Sequence, residues 1–242
     1  MRKCVYASTI LAAIAMGLGC GKPQNPRIIH PSSPPPDWDA RRQAEQSAGG
    51  SWRFDDAPTG GLPSGWRIAE TQSAGTPATW RVVADPSAPS PPNVLAITET
   101  RNTGGTYNLA ILEDTAFADL DLSVKVRAGG GKEDQGGGPI WRCRDAGNYY
   151  ICRWNPLENN FRVYKVIDGR RRQLATADTD AAADAWHTIR VTMRGRHIAC
   201  YLDGAKLLEA DDDALASAGK VGLWTKADAA SAFDDLVVQG LD

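Results

Sequence analysis

The chain has 242 residues, and its 24 glycines and 15 prolines are high for a helical protein but ordinary for many short strands joined by turns. Its formal net charge is -2 at pH 7; removing residues 1–19 takes away Arg2 and Lys3 and no acid, leaving 25 basic against 29 acidic side chains. A mildly acidic chain of this kind argues against a nucleic-acid partner.

At the N-terminus, Met1-Arg2-Lys3 is a short basic segment, and residues 4–18 form an uncharged apolar run before Gly19-Cys20. This is the pattern of an export signal, too short to read as a membrane span. The stretch resembles a lipoprotein signal, with Gly17 where such signals usually carry leucine; a plain secretory signal cleaved nearby is the alternative. The resemblance implies a lipid on Cys20, export, and attachment to a membrane of the cell envelope. Six prolines within residues 21–48 disfavour helix and ladder pairing and predict an extended tether, with a brief helix at 39–47 and Gly49-Gly50 at its end. The chain is therefore read as a signal at 1–19, a Pro-rich tether at 20–50 and a folded domain at 51–242.

From Ser51 onward the pattern becomes short strands and turns. Trp80–Ala84, Asn93–Thr98 and Tyr107–Leu112 are predicted strands. Over Asp119–Arg127, Leu120, Leu122, Val124 and Val126 alternate with Asp121, Ser123, Lys125 and Arg127, the period of a half-buried antiparallel strand. Gly129–Gly131 and Gly136–Gly138 predict loops around Lys132–Gln135. Trp186–Met193, His197–Leu202, Lys206–Glu209, Lys220–Thr225 and Ala232–Val238 complete the predicted strands, with Asp203-Gly204 as a hairpin turn. Asp178–Ala185 and Asp211–Ser217 are read as single helical turns, and Asp211–Asp213 as a solvated charge run. Many short strands without a long helix predict an all-β sandwich or barrel.

The segment Gly138–Gly169 carries the most information. A two-residue turn at Gly147-Asn148 places Cys143 opposite Cys152, Arg142 opposite Arg153 and Trp141 opposite Trp154. A four-residue loop at Pro156–Asn159 then places Arg153 opposite Arg162 and Trp154 opposite Phe161. One face holds Trp141, Trp154, Phe161, Val163 and the two cysteines, and suits an inter-sheet core. The other holds Arg142, Arg144, Tyr149, Arg153, Asn155, Arg162 and Tyr164, with Glu158 in the loop, and is the candidate ligand site. Three like charges in a row need an anion among them, either an internal carboxylate or a ligand. Trp186, Ile189, Val191, Leu223, Trp224 and Phe233 are expected to join the core. Opposed Cys143 and Cys152 form either a strained bridge or two buried thiols, and Cys200 is the third cysteine of the domain. His187 and His197 are read as structural or surface residues.

Asp55-Asp56 and Asp234-Asp235 each follow a phenylalanine near one end of the domain. If the first and last strands meet, these acids cluster; a structural calcium site is the functional reading, beside plain solvation of a turn and an edge.

Gly138–Gly169, with YLDG at 201–204, KVGLWTKAD at 220–228 and FDDL at 233–236, resembles a concanavalin A-like lectin/glucanase domain. More narrowly, residues 51–240 are similar to exported bacterial domains of the 3-keto-disaccharide hydrolase type. The resemblance implies a two-sheet antiparallel β-sandwich, a concanavalin A-like jelly roll with a concave ligand face. The Glu-x-Asp-x-x-Glu strand motif of family-16 glycosidases is absent, which argues against that activity. Three readings follow: a lectin-like module binding carbohydrate or envelope glycan, a hydrolase or lyase on 3-keto-glycosides using Glu158 with Lys165 or Lys226, and a scaffold for a protein partner.

Overall fold

The computed structural model describes residues 49–73 and 75–241. Residues 1–48, with the expected export signal, Cys20, most of the expected tether and the helix expected at 39–47, lie outside the described residues, and Gly50, read as the end of the tether, begins the first strand.

The strands form two antiparallel sheets. In the first, the order is β13 (Ala205–Asp211), β12 (His197–Leu202), β11 (His187–Arg194), β6 (Leu120–Gly130), β15 (Ala230–Gly240), β4 (Asn93–Glu99) and β3 (Thr79–Ala84), with β1 (Gly50–Trp52) also paired to β15. In the second, the order is β10 (Arg170–Asp178), β9 (Asn160–Ile167), β8 (Asn148–Asn155), β7 (Gly138–Asp145), β14 (Gly219–Lys226), β5 (Tyr107–Phe117) and β2 (Trp66–Thr71). The expected two-sheet jelly roll is the fold.

Alternation decides which side chains meet between the sheets. Leu120, Leu122, Val124 and Val126 of β6 are buried, as their period requires, and pair across to Met193, Val191, Ile189 and His187 of β11. Trp80 stacks on Phe233 with ring centroids 5.8 Å apart. Trp141, Trp154, Phe161, Val163, Ile189, Val191, Leu223 and Phe233 all belong to this core. Trp186 does not: it is half-buried, with the Arg127 guanidinium 5.0 Å from its ring. Trp224 is buried on the other face of its sheet.

The hairpin predictions succeed on one side of β8 and fail on the other. Arg153 pairs with Arg162 and Trp154 with Phe161 around a four-residue loop, as expected. On the β7 side the turn residues are Ala146-Gly147, because Asp145 pairs with Asn148, and Trp141 faces Tyr150. A bulge between Trp141 and Asp145 absorbs the extra residues, with Arg142 at φ 45. Gly219 makes room for it: a Cβ there would lie 2.5 Å from the Arg142 carbonyl carbon. The bulge puts Cys143 on the face opposite Cys152, so the two are not opposed. Cys152 instead touches Cys200, and all three cysteines are buried and free.

The segments at Asp178–Ala185 and Asp211–Ser217, expected to hold helical turns, continue from the ends of β10 and β13 as turns and irregular chain; no helix occurs among the described residues. Asp212 is not merely solvated either: it accepts the Tyr150 hydroxyl at 2.6 Å and the Lys165 ammonium at 2.5 Å.

Candidate functional site

The second sheet rolls around its outer face. β10 and β5 are five strand intervals apart, about 24 Å in a flat sheet. Yet the Arg171 guanidinium of β10 lies 5.0 Å from the Tyr107 ring of β5. The corners are tied: Thr71 of β2 donates to the Ala146 carbonyl at 2.5 Å, and the Gln72 amide to the Gly169 carbonyl at 2.9 Å. The concave face so formed is filled by a second hydrophobic cluster, with Leu109, Ile111, Ile140, Ile151 and Val166 packed beside Tyr107, Tyr149, Tyr164 and Trp224, all buried.

Arg171 spans these rings. Its guanidinium lies 4.4 Å from the Tyr164 ring, 5.0 Å from Tyr107 and 5.9 Å from Trp224. One of its terminal nitrogens is buried with no acceptor. Beneath it, the Trp224 indole donates to the Tyr149 hydroxyl at 3.2 Å, which shares a 2.8 Å hydrogen bond with Thr71. Burial pushes the Tyr149 hydroxyl well above the usual tyrosine range, so it stays protonated.

Beside the rings lies a network of charge. Asp134, 1% exposed, accepts Arg153 at 3.0 Å, Asn155 at 2.9 Å and Lys226 at 2.8 Å. Glu158 accepts Arg153 at 2.7 Å, Asn160 at 2.9 Å and Arg162 at 3.0 Å. Partial burial opposes charge on Glu158, but the hydrogen bonds from Asn160 and Arg153 and the nearby Arg162 hold it below the usual carboxylate range. The glycine-flanked loop delivers Asp134: Asp228 accepts the backbone N–H groups of Lys132, Glu133 and Asp134. Gly136, at φ +72, lets this loop lie on β8, since a Cβ there would sit 2.2 Å from the Trp154 carbonyl oxygen.

Of the predicted site, Arg153, Asn155, Arg162, Tyr149 and Tyr164 share the concave face, and Glu158 joins them from its loop. Arg142 does not. The β7 bulge turns it beneath the sheet, where it is 2% exposed and donates to the Ala118, Leu215 and Gly195 carbonyls and to Asp119. Arg144 is exposed within the bulge. The anion between the remaining arginines is internal: Asp134 for Arg153, and Glu158 shared by both. Sequence reasoning missed Asp134 and Arg171, and named Lys226 only for the hydrolase or lyase reading. The signals for them were an acid between two glycine clusters and a basic run after the Asp168-Gly169 turn.

Three of the four acids near the domain ends, Asp55, Asp234 and Asp235, are drawn together because β1 pairs with β15. Asp234 accepts the backbone N–H of Ser90, Asp235 the Ser90 hydroxyl, and Asp55 the backbone N–H of Asn93. No group of three or more His, Cys, Asp or Glu among the described residues is placed to hold a metal ion, and Asp55, Asp234 and Asp235 each give an oxygen to a protein donor. Burial, and then the charges of Asp235 and Asp55, push the Asp234 carboxyl up to about 6, against the backbone N–H groups that favour charge. A folded-state value above the unfolded one adds stability at low pH and loses it as pH rises through about 6. Asp234→Asn, which does not titrate, is therefore expected to gain on the wild type as pH rises from about 4 to about 6. Melting temperatures of both proteins across that window test this; parallel curves would contradict it.

A two-sheet jelly roll whose rolled sheet holds tyrosines, a tryptophan and arginines has the fold of concanavalin A-like lectins and glucanases. The chain belongs to the 3-keto-alpha-glucoside-1,2-lyase-like domain family, whose model matches residues 54–239. Among solved structures, it is similar to the carbohydrate-binding module CBM66 from Bacillus subtilis, with TM-score 0.57 and 17% identity over 73% of this chain and 96% of that one. It is also similar to the Bacillus licheniformis beta-glucanase, with TM-score 0.54 and 12% identity over 81% of this chain and 99% of that one. An extracellular exo-alpha-L-arabinofuranosidase of Streptomyces chartreusis is 33% identical over 94 residues, which are 38% of this chain and 11% of that protein.

Proposed function

We propose that this chain is an exported, lipid-anchored carbohydrate-binding module that takes a glycan at the aromatic mouth of its rolled sheet. The observation that carries the reading is Arg171: a guanidinium laid over Tyr164, Tyr107 and Trp224, with a buried nitrogen that has no acceptor. A buried donor left unpaired costs about 1–3 kcal/mol, and a saccharide oxygen supplies the missing acceptor. The buried rings of Tyr164, Tyr107 and Trp224 hold the Arg171 guanidinium in place at the rim of this face. Membership in a family named for glucoside chemistry supports sugar as the ligand class. An extracellular relative and the N-terminal pattern support export, with Cys20 as the lipidated residue.

The second reading, elimination or hydrolysis on a 3-keto-glycoside, is favoured by the family's name. It needs a carboxylate or amine free to take a proton. Glu158 is held ionised by its three donors, Lys226 donates to Asp134 and Lys165 to Asp212. Those residues suit positioning better than proton transfer.

A glycan array with a parallel 3-keto-glucoside turnover assay on the full chain tests both readings. Binding without turnover, reduced at least about tenfold in Arg171→Ala at unchanged melting temperature, is the expected result. Turnover by the wild type replaces the module reading with the enzyme one. No binding and no turnover leaves the scaffold reading. In the same host, Cys20→Ala is expected to move the protein from membranes to the soluble fraction.

A further inference from the structure

A second pocket lies at the edge of the sandwich, between the turn after β1 and the start of β2. It encloses about 720 Å³, within the range of small-molecule sites. Trp66 and Arg67 alternate on β2, and Arg67 shares the concave side with Ile111 of β5. Trp66 therefore faces away from the rolled sheet's mouth, and the two sites are separate surfaces.

The pocket combines three kinds of group. Trp52 is partly buried on its wall, and behind it Phe54 packs on Trp66 with ring centroids 5.7 Å apart. The Trp66 indole N–H is buried with no acceptor, in a residue only 6% exposed. Asp56 is exposed without a hydrogen-bond or ion-pair partner among the described residues, and Asp55 uses one oxygen on the Asn93 backbone N–H. Arg53 has a 3.7 Å contact with Asp235 and a side chain 65% exposed. Phe54 holds φ 67, a left-handed conformation unfavourable for an aromatic residue, and this turns Asp55 and Asp56 toward the pocket.

We infer that this pocket is a second saccharide site, for a neutral pyranose. The apolar face of the ring lies on Trp52, the carboxylate of Asp56 accepts from hydroxyls, and Arg53 donates to a ring or hydroxyl oxygen. Two carboxylates against one guanidinium disfavour an acidic sugar, whose charge would face Asp55 and Asp56. A neutral polyol meets both signs with hydrogen bonds and no net repulsion. Two sites on one domain let it hold a polymeric glycan at two points, raising avidity without new contacts at either.

Titration of the full chain with methyl α-glucoside, maltose, cellobiose and sucrose, followed by calorimetry and tryptophan fluorescence, tests the inference. At least one of these sugars is expected to bind, with affinity reduced at least about tenfold in both Trp52→Ala and Asp56→Ala and unchanged in Arg171→Ala. Asp56 is exposed and its removal leaves the core intact, so the Asp56→Ala arm separates binding from folding. Binding retained in Asp56→Ala, binding lost only in Arg171→Ala, or no binding of any of the four sugars overturns the second site. Failure of the concave site alone would appear as array binding insensitive to Arg171→Ala.

Discussion

Asp134→Ala is expected to destabilise the domain by about 3–5 kcal/mol, the range for removing one partner of a buried ion pair. The carboxylate is 1% exposed and neutralises two cations at once, Arg153 and Lys226. Without it, Arg153 keeps Glu158, whose side chain is 39% exposed, while Lys226 loses the partner 2.8 Å away. Asn155 loses its acceptor as well. Two buried donors, on Arg153 and Asn155, then face no acceptor, and each carries its own desolvation cost, while Lys226, 18% exposed, is left unpaired at the rim. Glu158→Ala is a contrasting substitution, because its carboxylate reaches solvent; a loss of at most about 1–2 kcal/mol is expected. Urea unfolding of the two variants at matched pH measures the difference. If they lose the same stability, or Asp134→Ala loses under about 1 kcal/mol, the network is not holding the concave face together. The arrangement also assigns a role to the arginine row. Arg153 is spent on holding Asp134 and Glu158 in place, with its Nε left unpaired, while Arg171, outside that row, keeps a terminal nitrogen without an acceptor.

What the sequence revealed and what it hid follow from one physical difference. Residues of central strands announce themselves, because burial on a known face forces alternation. The alternation of β6 reads correctly for this reason, and so does the Trp154–Phe161 pair across a four-residue loop, although β6 runs on through Gly129 and Gly130, read as loop. Edge strands carry no such constraint. β10, RRRQLATAD, is mostly exposed, and β2 carries only a partial pattern, so neither stood out. Those two strands supply Arg171 and Thr71, and the rolling of the sheet brings them to the rings of central strands. A contact between strands five places apart depends on twist and coil of the whole sheet, which no local window encodes. The β7 bulge was hidden differently. A uniform register sorts Arg142 with the other arginines, and only the close approach of Gly219 shows why the chain departs from it. Asp134 lay in a loop whose shape Asp228 sets from 94 residues further along the chain. Such long-range hydrogen bonds leave the two glycine clusters as their only local trace.

Trp154→Ala is expected to cost about 3–5 kcal/mol, and Trp154→Phe much less. The ring is fully buried in the inter-sheet core, opposite Phe161 and with its centroid 4.6 Å from that of His187. Truncation to alanine removes the largest side chain on this part of β8 and leaves a cavity that two hydrogen-bonded sheets cannot close. The indole N–H, however, is buried without an acceptor. Phenylalanine keeps most of the ring's contacts and deletes a donor that was costing stability, so part of the packing loss is offset. The backbone of Trp154 exchanges both hydrogen bonds with Gly137 at 3.0 Å, and these survive either substitution. The fold is therefore expected to persist in both variants, with the urea dependence of the unfolding free energy unchanged. Chemical denaturation followed by circular dichroism gives both numbers. Equal losses for the two substitutions would mean that the indole nitrogen finds a partner in solution. A loss below about 1 kcal/mol for alanine would mean that the ring is not packed between the sheets. Arg153 and Asn155 flank Trp154 on the strand and point to the opposite face. A cavity behind them loosens the frame that positions Asp134, so Trp154→Ala is also expected to weaken glycan binding where Trp154→Phe leaves it intact.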